Sequence, residues 1–180
     1  SGSDSSTVTG SYMRNLAGYG AQIGGADHNT ISQSTVVSNA LSYTALYISG
    51  SDSNTVTGSY MQNRAGHGAY LNTGADHNTI SRSTMASDGA GFQALFITAA
   101  SSNTVLDSYI QGATAAFISG STGTVIGGTV LVATNTFGSA LAMAGGSVNL
   151  TLATSTLRGG EAGAALLMYP GNSGLVSLTS

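Results

Sequence analysis

The sequence predicts an all-β solenoid, in which the 180-residue chain winds through short strands that stack into a column. Three observations support this fold class. A long block of sequence is repeated almost unchanged, apolar segments return roughly every 24 residues, and Gly, Ser and Asn stand at the segment boundaries. Each unit contains too little apolar surface to fold alone, so the stacking of neighbouring units must supply the core.

The repeat is clearest in the first 97 residues. Residues 1–48 align with residues 49–97, SGSDSSTVTGSYM with SGSDSNTVTGSYM, and GADHNTIS occurs in both blocks. One inserted residue near Thr73 accounts for the difference in length. Each block divides again, because TVTGSYM and TISQSTV share the pattern Thr-apolar-x-x-Ser/Gly-x-apolar.

This pattern predicts three short strands in each unit, and about 7–8 stacked units, or rungs. The first two strands each contribute one inward apolar residue, in the pairs Val8/Met13, Ile31/Val36, Val56/Met61, Ile80/Met85, Val105/Ile110, Val125/Val130 and Leu152/Leu157. The third strand contributes two inward residues with a period of two. These pairs are Ala21/Ile23, Leu46/Ile48, Ala69/Leu71, Leu95/Ile97, Ala116/Ile118, Leu141/Met143 and Leu166/Met168.

The arrangement N-T-V-x-x-S-x-M…G-A-x-L resembles the repeats of right-handed parallel β-helix proteins. That group includes pectate lyases, phage tailspikes, alginate epimerases and autotransporter passengers. The resemblance extends well over residues 1–145 and loosely over residues 146–180, where GGSVNLTLATSTLRGGEAG is similar to autotransporter repeats. It implies an all-β, single-stranded, right-handed parallel β-helix. Since this fold supports many activities, the resemblance by itself implies no single function.

Composition limits the partners of the protein. Charged residues make up 6% of the chain, the net charge is −3, and the four cations are all Arg. A nucleic-acid partner would need a basic surface stripe, so we expect none. No apolar run reaches the ~20 residues of a membrane helix, so we expect no membrane insertion. The chain has no Cys, which excludes disulfides and thiolate metal sites.

The same data predict one β-helix domain over residues 1–180, because 41% hydrophobic residues are enough to form a core. The opening segment SGSD returns at Ser49, so we expect the chain to be a piece of a longer repeat protein. A composition rich in Ser, Thr, Asn and Gly but without Lys favours an extracellular or bacterial cell-surface location. Open strand edges at the terminal rungs favour end-to-end or lateral self-association.

Equivalent positions of a solenoid form columns, and two columns are predicted at one corner. The first is Asn29, Asn54, Asn78 and Asn103. Because Asn tolerates a left-handed backbone and hydrogen-bonds within turns, we interpret this column as a structural ladder. The second column, two residues earlier, contains four of the seven acidic residues and is Asp4, Asp27, Asp52 and Asp76.

Two hypotheses account for the acidic column. In the first, the carboxylates accept backbone N–H groups and cap a row of turns. In the second, the column binds Ca²⁺ or processes a polysaccharide, with His28 or His77 as general acid or base. We favour the turns, because the feature repeats with the scaffold. The segment from Gly24 to Asp27 also lacks the Ca²⁺-binding pattern G-G-x-G-x-D, so we expect no cofactor.

The outward position of the third strand forms a third column. Its members are Gln22, Tyr47, Tyr70, Phe96, Phe117, Ala142 and Leu167. Four consecutive aromatic residues predict a stripe about 15 Å long on an outer face. Such a stripe suits sugar stacking, lateral association, or coverage by a neighbouring segment. We therefore predict that Tyr47, Tyr70, Phe96 and Phe117 bind a partner, either a glycan or a host surface protein.

A fourth column carries Thr on the first strand, at Thr7, Thr30, Thr55, Thr79, Thr104, Thr124 and Thr151. A second rank beside it reads Thr9, Ser32, Thr57, Ser81, Leu106 and Ile126. Regular Thr-x-Thr ladders are typical of some ice-binding solenoids. Outward Thr is also ordinary in strands, and the second rank changes to apolar residues, so ice binding is the weaker hypothesis.

The residues favour a non-catalytic function over an enzyme. Polysaccharide lyases and epimerases of the resembled group need clustered acidic and basic side chains, whereas Arg14, Arg64, Arg82 and Arg158 share no column. We therefore predict a structural or adhesive segment of a secreted or surface-anchored bacterial protein. A carbohydrate-active β-helix, similar to a polysaccharide lyase or epimerase, is the alternative.

Overall fold

The computed structural model describes residues 3–147, 149–172 and 176–179, and it forms three parallel sheets. The first sheet contains β1 (Thr7–Thr9), β4 (Thr30–Ser32), β7 (Thr55–Thr57), β10 (Thr79–Ser81), β13 (Thr104–Leu106), β16 (Val125–Gly127), β19 (Leu150–Ala153) and β22 (Val176–Thr179). The second contains β2 (Tyr12–Asn15), β5 (Thr35–Ser38), β8 (Tyr60–Asn63), β11 (Thr84–Ser87), β14 (Tyr109–Gly112), β17 (Val130–Ala133) and β20 (Thr156–Arg158). The third contains β3 (Ala21–Gly24), β6 (Thr44–Ser49), β9 (His67–Asn72), β12 (Gln93–Thr98), β15 (Thr114–Ser119), β18 (Leu141–Ala144) and β21 (Leu166–Met168).

The chain visits the three sheets in the same order in every rung. Val56 in β7, for example, pairs with Ile31 of the preceding rung and with Ile80 of the next one. Over the described residues, seven rungs each contribute three strands, and β22 adds the first strand of another. The predicted all-β parallel solenoid with three strands per rung is therefore confirmed.

Inward apolar side chains form one continuous core along the column. The predicted residues Val56, Met61, Ala69 and Leu71 of a single rung are all buried, and the equivalent residues of neighbouring rungs pack above and below them. Burial of a Val, Leu or Met side chain contributes about 1.5–3 kcal/mol. Since each rung supplies only a few such residues, the core exists only because the rungs stack.

The rung that begins with β16 differs from the sequence prediction by one residue. Ile126 pairs with Val105 of the preceding rung, and Ile126 and Leu131 are the inward residues, each 0% exposed. The predicted inward pair Val125/Val130 is wrong, because both residues face outward and Val130 is 37% exposed. The T-V-I segment contains two apolar β-branched residues in succession, and the larger of them, Ile126, fills the core.

The same shift corrects two further positions. Thr124 does not continue the outward Thr column, since Val125 pairs with Thr104 and Thr124 therefore follows Asn103 in the ladder column. Ile126 does not belong to the second outward rank either, where Gly127 stands instead. With this register, the left-handed residue Gly128 (φ 57°) matches the left-handed residue of the preceding rung.

Two of the three connections of a rung regularly contain residues with a positive φ. His28 (φ 58°) and His77 (φ 56°) occupy the corner before the first sheet, directly after an acidic-column Asp. Arg82 (φ 47°) occupies the corner between the first and second sheets, where the preceding rung has Gly58 (φ 57°). The connection from the third sheet to the first also has a positive φ near its start, as at Gly50 (φ 53°). Gly is frequent at these positions because it adopts positive φ without steric cost.

The connection from the second sheet to the third sheet is the variable part of the rung. It consists of Ala113 alone in one rung and of residues 134–140 in the next. By contrast, two residues always join the first sheet to the second in the described rungs. Most of the difference in rung length is therefore absorbed at this edge of the solenoid, while the residue inserted near Thr73 lengthens the connection from the third sheet to the first. None of the described residues belongs to a helix that is long and apolar enough to cross a membrane.

Candidate functional site

The third sheet carries the predicted aromatic residues in one register. Tyr47 pairs with Tyr70, Tyr70 with Phe96, and Phe96 with Phe117, so the four residues stand on consecutive rungs. We call Tyr47, Tyr70, Phe96 and Phe117 the aromatic strip. Each of these side chains is half-buried, because its flanking residues on the strand point inward while its own ring lies on the outer face.

The rings of the strip contact one another along the solenoid axis. Tyr70 and Phe96 stack with their centroids 4.7 Å apart and an interplanar angle of 19°. Edge-to-face contacts of 5.5 Å and 5.6 Å join this pair to Tyr47 and Phe117. Neighbouring rings therefore hold each other in place, and aromatic pairs in such geometries contribute about 0.5–1.5 kcal/mol beyond area burial.

Further rings extend the strip, and the sequence prediction missed them. Tyr19 stacks on Tyr47 at 4.6 Å, and Tyr43 meets Tyr19 edge-on at 4.9 Å. Tyr169 lies 6.3 Å from Phe117 at the other end. Tyr19 and Tyr43 stand in the variable connection just before the third strand. The available signal was the presence of an aromatic residue immediately before the third apolar segment in several units.

His67 belongs to the same face, at the start of β9. Its ring lies 5.1 Å from Phe92 and from Phe96 and 5.7 Å from Tyr70. Its Nδ1 atom lies 3.2 Å from both backbone polar atoms of Gln93. Burial lowers the pKa of His67, although the hydrogen bond to the Gln93 backbone partly opposes this effect. His67 is therefore a neutral side chain at pH 7.

A hydrogen-bonded amide links two phenols of the strip. Asn72 Nδ2 donates to Tyr47 Oη at 2.8 Å, and Tyr70 Oη donates to Asn72 Oδ1 at 3.1 Å. The Tyr47 proton and the Tyr70 lone pairs stay available, so a donor and an acceptor lie side by side on adjacent rungs. Burial, followed by the neighbouring phenols Tyr47 and Tyr19, raises the pKa of Tyr70 and keeps it protonated.

The acidic column lies at a different corner and makes a regular set of contacts. Asp4 Oδ1 accepts the backbone N–H of Asp27 at 2.8 Å, Asp27 that of Asp52 at 2.7 Å, and Asp52 that of Asp76 at 2.9 Å. Each carboxylate thus caps the next rung rather than its own turn. Within the described ranges, no group of three or more His, Cys, Asp or Glu is arranged to hold a metal ion.

The exposed side chains of His28 and His77 follow this column in left-handed backbone. Both His residues stand at the corner before the first sheet, whereas the aromatic strip lies on the third sheet. Ca²⁺ binding by the acidic column, and acid–base chemistry by either His, stay predictions.

The Asn column is buried and hydrogen-bonded from rung to rung. Asn54 Oδ1 accepts from the backbone N–H of Asn29 at 2.8 Å and from its side-chain amide at 3.1 Å. Asn54 Nδ2 donates in turn to Asn78 Oδ1 at 3.0 Å. These bonds satisfy backbone groups that the corner would otherwise leave unpaired in the core. The geometry is that of a structural ladder.

The Thr ranks of the first sheet are short hydrogen-bonded pairs. Thr9 and Ser32 hydroxyls lie 2.8 Å apart, and Ser81 donates to Thr57 at 3.1 Å. The ranks then change to Val125, Leu106 and other apolar or small residues, so the ordered part is limited to the first rungs. Ice binding has no further support from this arrangement.

A second polar group lies at the edge of the second sheet. Gln62 Nε2 donates to Asp88 Oδ2 at 2.9 Å. Burial raises the pKa of Tyr60, the Asp88 carboxylate adds to this effect, and the Arg64 guanidinium opposes it. The sequence prediction did not group these four residues, because they come from two rungs and three different positions of the repeat.

A family model described as the right-handed β-helix region matches residues 1–157. The chain belongs to the right-handed β-helix family. The resemblance inferred from the N-T-V-x-x-S-x-M…G-A-x-L pattern is thereby confirmed, including the right-handed winding. In the comparison with curated protein sequences, none matched.

Several solved structures share this right-handed β-helix fold. Tailspike protein 2 of Escherichia coli O157:H7 bacteriophage CAB120 has a TM-score of 0.76 at 13% identity, over 96% of this chain and 25% of that chain. A periplasmic alginate epimerase has a TM-score of 0.71 at 11% identity, over 97% of this chain and 45% of the epimerase. DFA-IIIase of Arthrobacter chlorophenolicus A6, in complex with DFA-III, has a TM-score of 0.61 at 14% identity, over 74% and 30%. The chain spans less than half the length of each of these proteins, and the likeness establishes the fold alone.

Proposed function

We propose that this chain is the polysaccharide-binding segment of a carbohydrate-active β-helix protein, and that the glycan lies along the third sheet on the aromatic strip. The observation that carries the proposal is the continuous row of rings beside the hydrogen-bonded phenols of Tyr47 and Tyr70. Apolar rings with a few polar groups in fixed positions are the usual composition of ligand sites.

The similar structures support a carbohydrate-related role. One of them is an alginate epimerase and another binds DFA-III, as their names state. The proposal extends this class of ligand to the present chain, and with it an extracellular or periplasmic location. The strip would supply affinity and orientation, while a reaction would require groups such as the Tyr60, Gln62, Arg64 and Asp88 cluster to reach the same glycan.

A non-catalytic adhesive segment on a bacterial surface is the second candidate, because the same strip would serve adhesion to a glycan. The two candidates differ in turnover. Incubation of the purified chain with the polysaccharide that it binds, followed by analysis of reducing ends and unsaturated products, separates them. New products favour the carbohydrate-active protein, and unchanged polymer favours the adhesive segment.

Binding itself is tested by isothermal titration calorimetry and affinity electrophoresis with a panel of bacterial, plant and fungal polysaccharides. Tyr70→Ala and Phe96→Ala should each weaken binding about tenfold, because a lost ring contact is worth roughly 1.4 kcal/mol. Tyr109→Ala is the matched control. Tyr109 donates to Gln111 at 2.9 Å on the second sheet, just as Tyr70 donates to Asn72 on the third.

Two results would contradict the proposal. One is equal loss of affinity in Tyr109→Ala and Tyr70→Ala, since binding would then not reside on the third sheet. The other is the absence of binding to every polysaccharide together with a change of molecular mass in Phe96→Ala, which would make the strip a contact between copies of the chain. Circular dichroism of each variant checks that the solenoid is intact.

A further inference from the structure

The residues that border the aromatic strip are polar and uncharged on the side where each strand begins. Gln93 pairs with Thr114, and the Gln93 backbone contacts His67, so these three half-buried residues form one flank of the strip. Thr44, which pairs with His67, is buried and adds no accessible group. His67 is held among three rings, and this burial favours its neutral form. This flank offers hydroxyl, amide and imidazole groups.

The flank on the other side has the same character. Ser49 pairs with Asn72, and Thr98 pairs with Ser119, two residues beyond the strip on each strand. Asn72 is fixed by the phenols of Tyr47 and Tyr70 and by the Thr73 hydroxyl, which donates to its Oδ1 at 3.2 Å. Every polar atom here belongs to a neutral group with donor or acceptor capacity.

In the described chain, no Asp, Glu, Lys or Arg stands on a strand of the third sheet. Arg14 and Arg158 stand in β2 and β20 of the second sheet, and Arg82 stands at the corner between the first and second sheets. Arg64 and Asp88 directly follow β8 and β11 of the second sheet. Asp107 stands at the same corner as Arg82, and Glu161 lies in the connection after β20. The acidic column lies at the corner before the first sheet, where its carboxylates accept backbone N–H groups.

These placements bear on the class of polysaccharide. A uronic-acid polymer carries one carboxylate on each sugar, and proteins bind carboxylates preferentially through Arg. Placing that carboxylate against aromatic rings without a cation would remove it from water with no compensating charge. Sugar hydroxyls, in contrast, are donors and acceptors at once, and they complement the Tyr47 proton, the Tyr70 oxygen and the amides beside them.

We infer that the aromatic strip takes an uncharged polysaccharide rather than a uronic-acid or sulfated one. This inference rests on the proposed function, the binding of a glycan on the third sheet, and names its ligand class. It also separates this chain from the alginate epimerase that shares its fold, since alginate is a polymer of uronic acids.

Matched glycan pairs test the inference. The first pair is mannohexaose and hexamannuronate, which differ at C6 of each sugar, and the second is methyl-esterified and unesterified oligogalacturonate. The neutral member of at least one pair should bind at least tenfold more tightly than its acidic partner. Its Kd should not change between low and high NaCl, because salt screens only interactions between charges. Tyr70→Ala and Phe96→Ala should each weaken this binding about tenfold.

A gain-of-charge variant sharpens the test. Thr98→Arg places a guanidinium beside Phe96 and should raise the affinity for the acidic member about tenfold, since one charge-assisted contact is worth roughly 1.4 kcal/mol. Ala86→Arg adds the same charge to the second sheet of the same rung and is the matched control. Equal effects of the two variants would mean that the charge acts at long range and not in the strip.

The outcomes separate the inference from the proposed function. Tighter binding of the acidic members, lost in Phe96→Ala, would overturn the inference and retain glycan binding on the third sheet. Absence of binding to all members of both pairs, and to the wider panel, would overturn the proposed function and the inference together. Salt-sensitive binding to the neutral members would also overturn the inference.

Discussion

At the residue scale, His67 shows how the third sheet imposes a protonation state. The ring is enclosed by Phe92, Phe96 and Tyr70, and burial lowers its pKa. The unfolded chain, in contrast, exposes an imidazole with an ordinary pKa of about 6.5. Below that pH the unfolded state binds a proton that the folded state resists, so acid favours unfolding through this residue.

We expect the free energy of unfolding to be highest above about pH 6.5, and the His67 contribution to fall as the pH drops from there towards the lowered pKa of the folded state. Below that lower pKa the loss should be complete. His67→Gln should reduce this dependence, because Gln does not titrate. Urea unfolding of both proteins at about pH 7 and about pH 5 measures the effect.

His28→Asn is the control for this prediction. His28 is exposed in a left-handed corner, a conformation that Asn adopts readily. This variant should keep the acid-dependent loss of the parent protein. An unchanged loss in His67→Gln would show that other groups cause it.

At the element scale, the Asn ladder explains why the corner before the first sheet repeats so regularly. The backbone N–H groups of Asn29, Asn54 and Asn78 each donate to the side-chain Oδ1 atom of the Asn in the next rung. The ladder stops at Asn103, whose Nδ2 is buried without a partner, as is the Thr124 hydroxyl in the next rung. A buried polar group without a partner costs about 1–3 kcal/mol.

Thr124→Asn should extend the ladder by one rung and raise the free energy of unfolding by about 1 kcal/mol, because the new Oδ1 atom can accept from Asn103 Nδ2. Thermal or urea unfolding measures this gain. Thr122→Asn is the matched control, since Thr122 is exposed at the same corner and should leave stability within about 0.5 kcal/mol. Destabilisation by Thr124→Asn would mean that the corner is too narrow for an amide.

The elements also show which parts of the fold follow from sequence. The segments T-V-T and Y-M-Q predict β7 and β8, because polar and apolar side chains alternate within each segment and Gly58-Ser59 separates the two segments. The register of β16 cannot be predicted from the sequence, because Val125 and Ile126 are equally suited to a buried strand position. Core volume decides between them, and that is a property of the stacked rungs.

At the scale of the whole molecule, stability is shared between neighbouring rungs. Val56 in an interior rung is 1% exposed, whereas the equivalent Val8 in the first described rung is 36% exposed. Val at this position is therefore a core residue where a rung lies on both sides of it, and a surface residue where one side is uncovered. A disruption inside the column removes the support of the rungs on both sides.

Val56→Asp should unfold the protein or lower its free energy of unfolding by several kcal/mol, because it buries a carboxylate without a partner. Thr57→Asp, one position further on the same strand, faces outward and should cost less than about 1 kcal/mol. Circular dichroism and urea unfolding of the two variants provide the comparison. Similar stability of both would contradict the register of the first sheet.

The site was less predictable from sequence than the fold. Tyr47, Tyr70, Phe96 and Phe117 follow the repeat, so their column was predicted. The contacts of Tyr19, Tyr43 and His67 depend on connections whose length changes from rung to rung, and Asn72 acts through a hydrogen bond between rungs. A repeat pattern identifies only the positions that all units share. These residues stand at positions that differ from unit to unit, so the pattern could not predict them.

The variable connection between the second and third sheets has a consequence for the diversification of this protein. Its residues range from Ala113 alone to residues 134–140 while the strands on both sides keep their pairing. Insertions and substitutions at the exposed positions of this connection would change the groups presented beside the rings. Glycines such as Gly138 and Gly163 would have to be kept, because a side chain there would collide with the backbone of the neighbouring connection. This edge is thus the natural place for a randomised library on a scaffold whose strands keep their pairing.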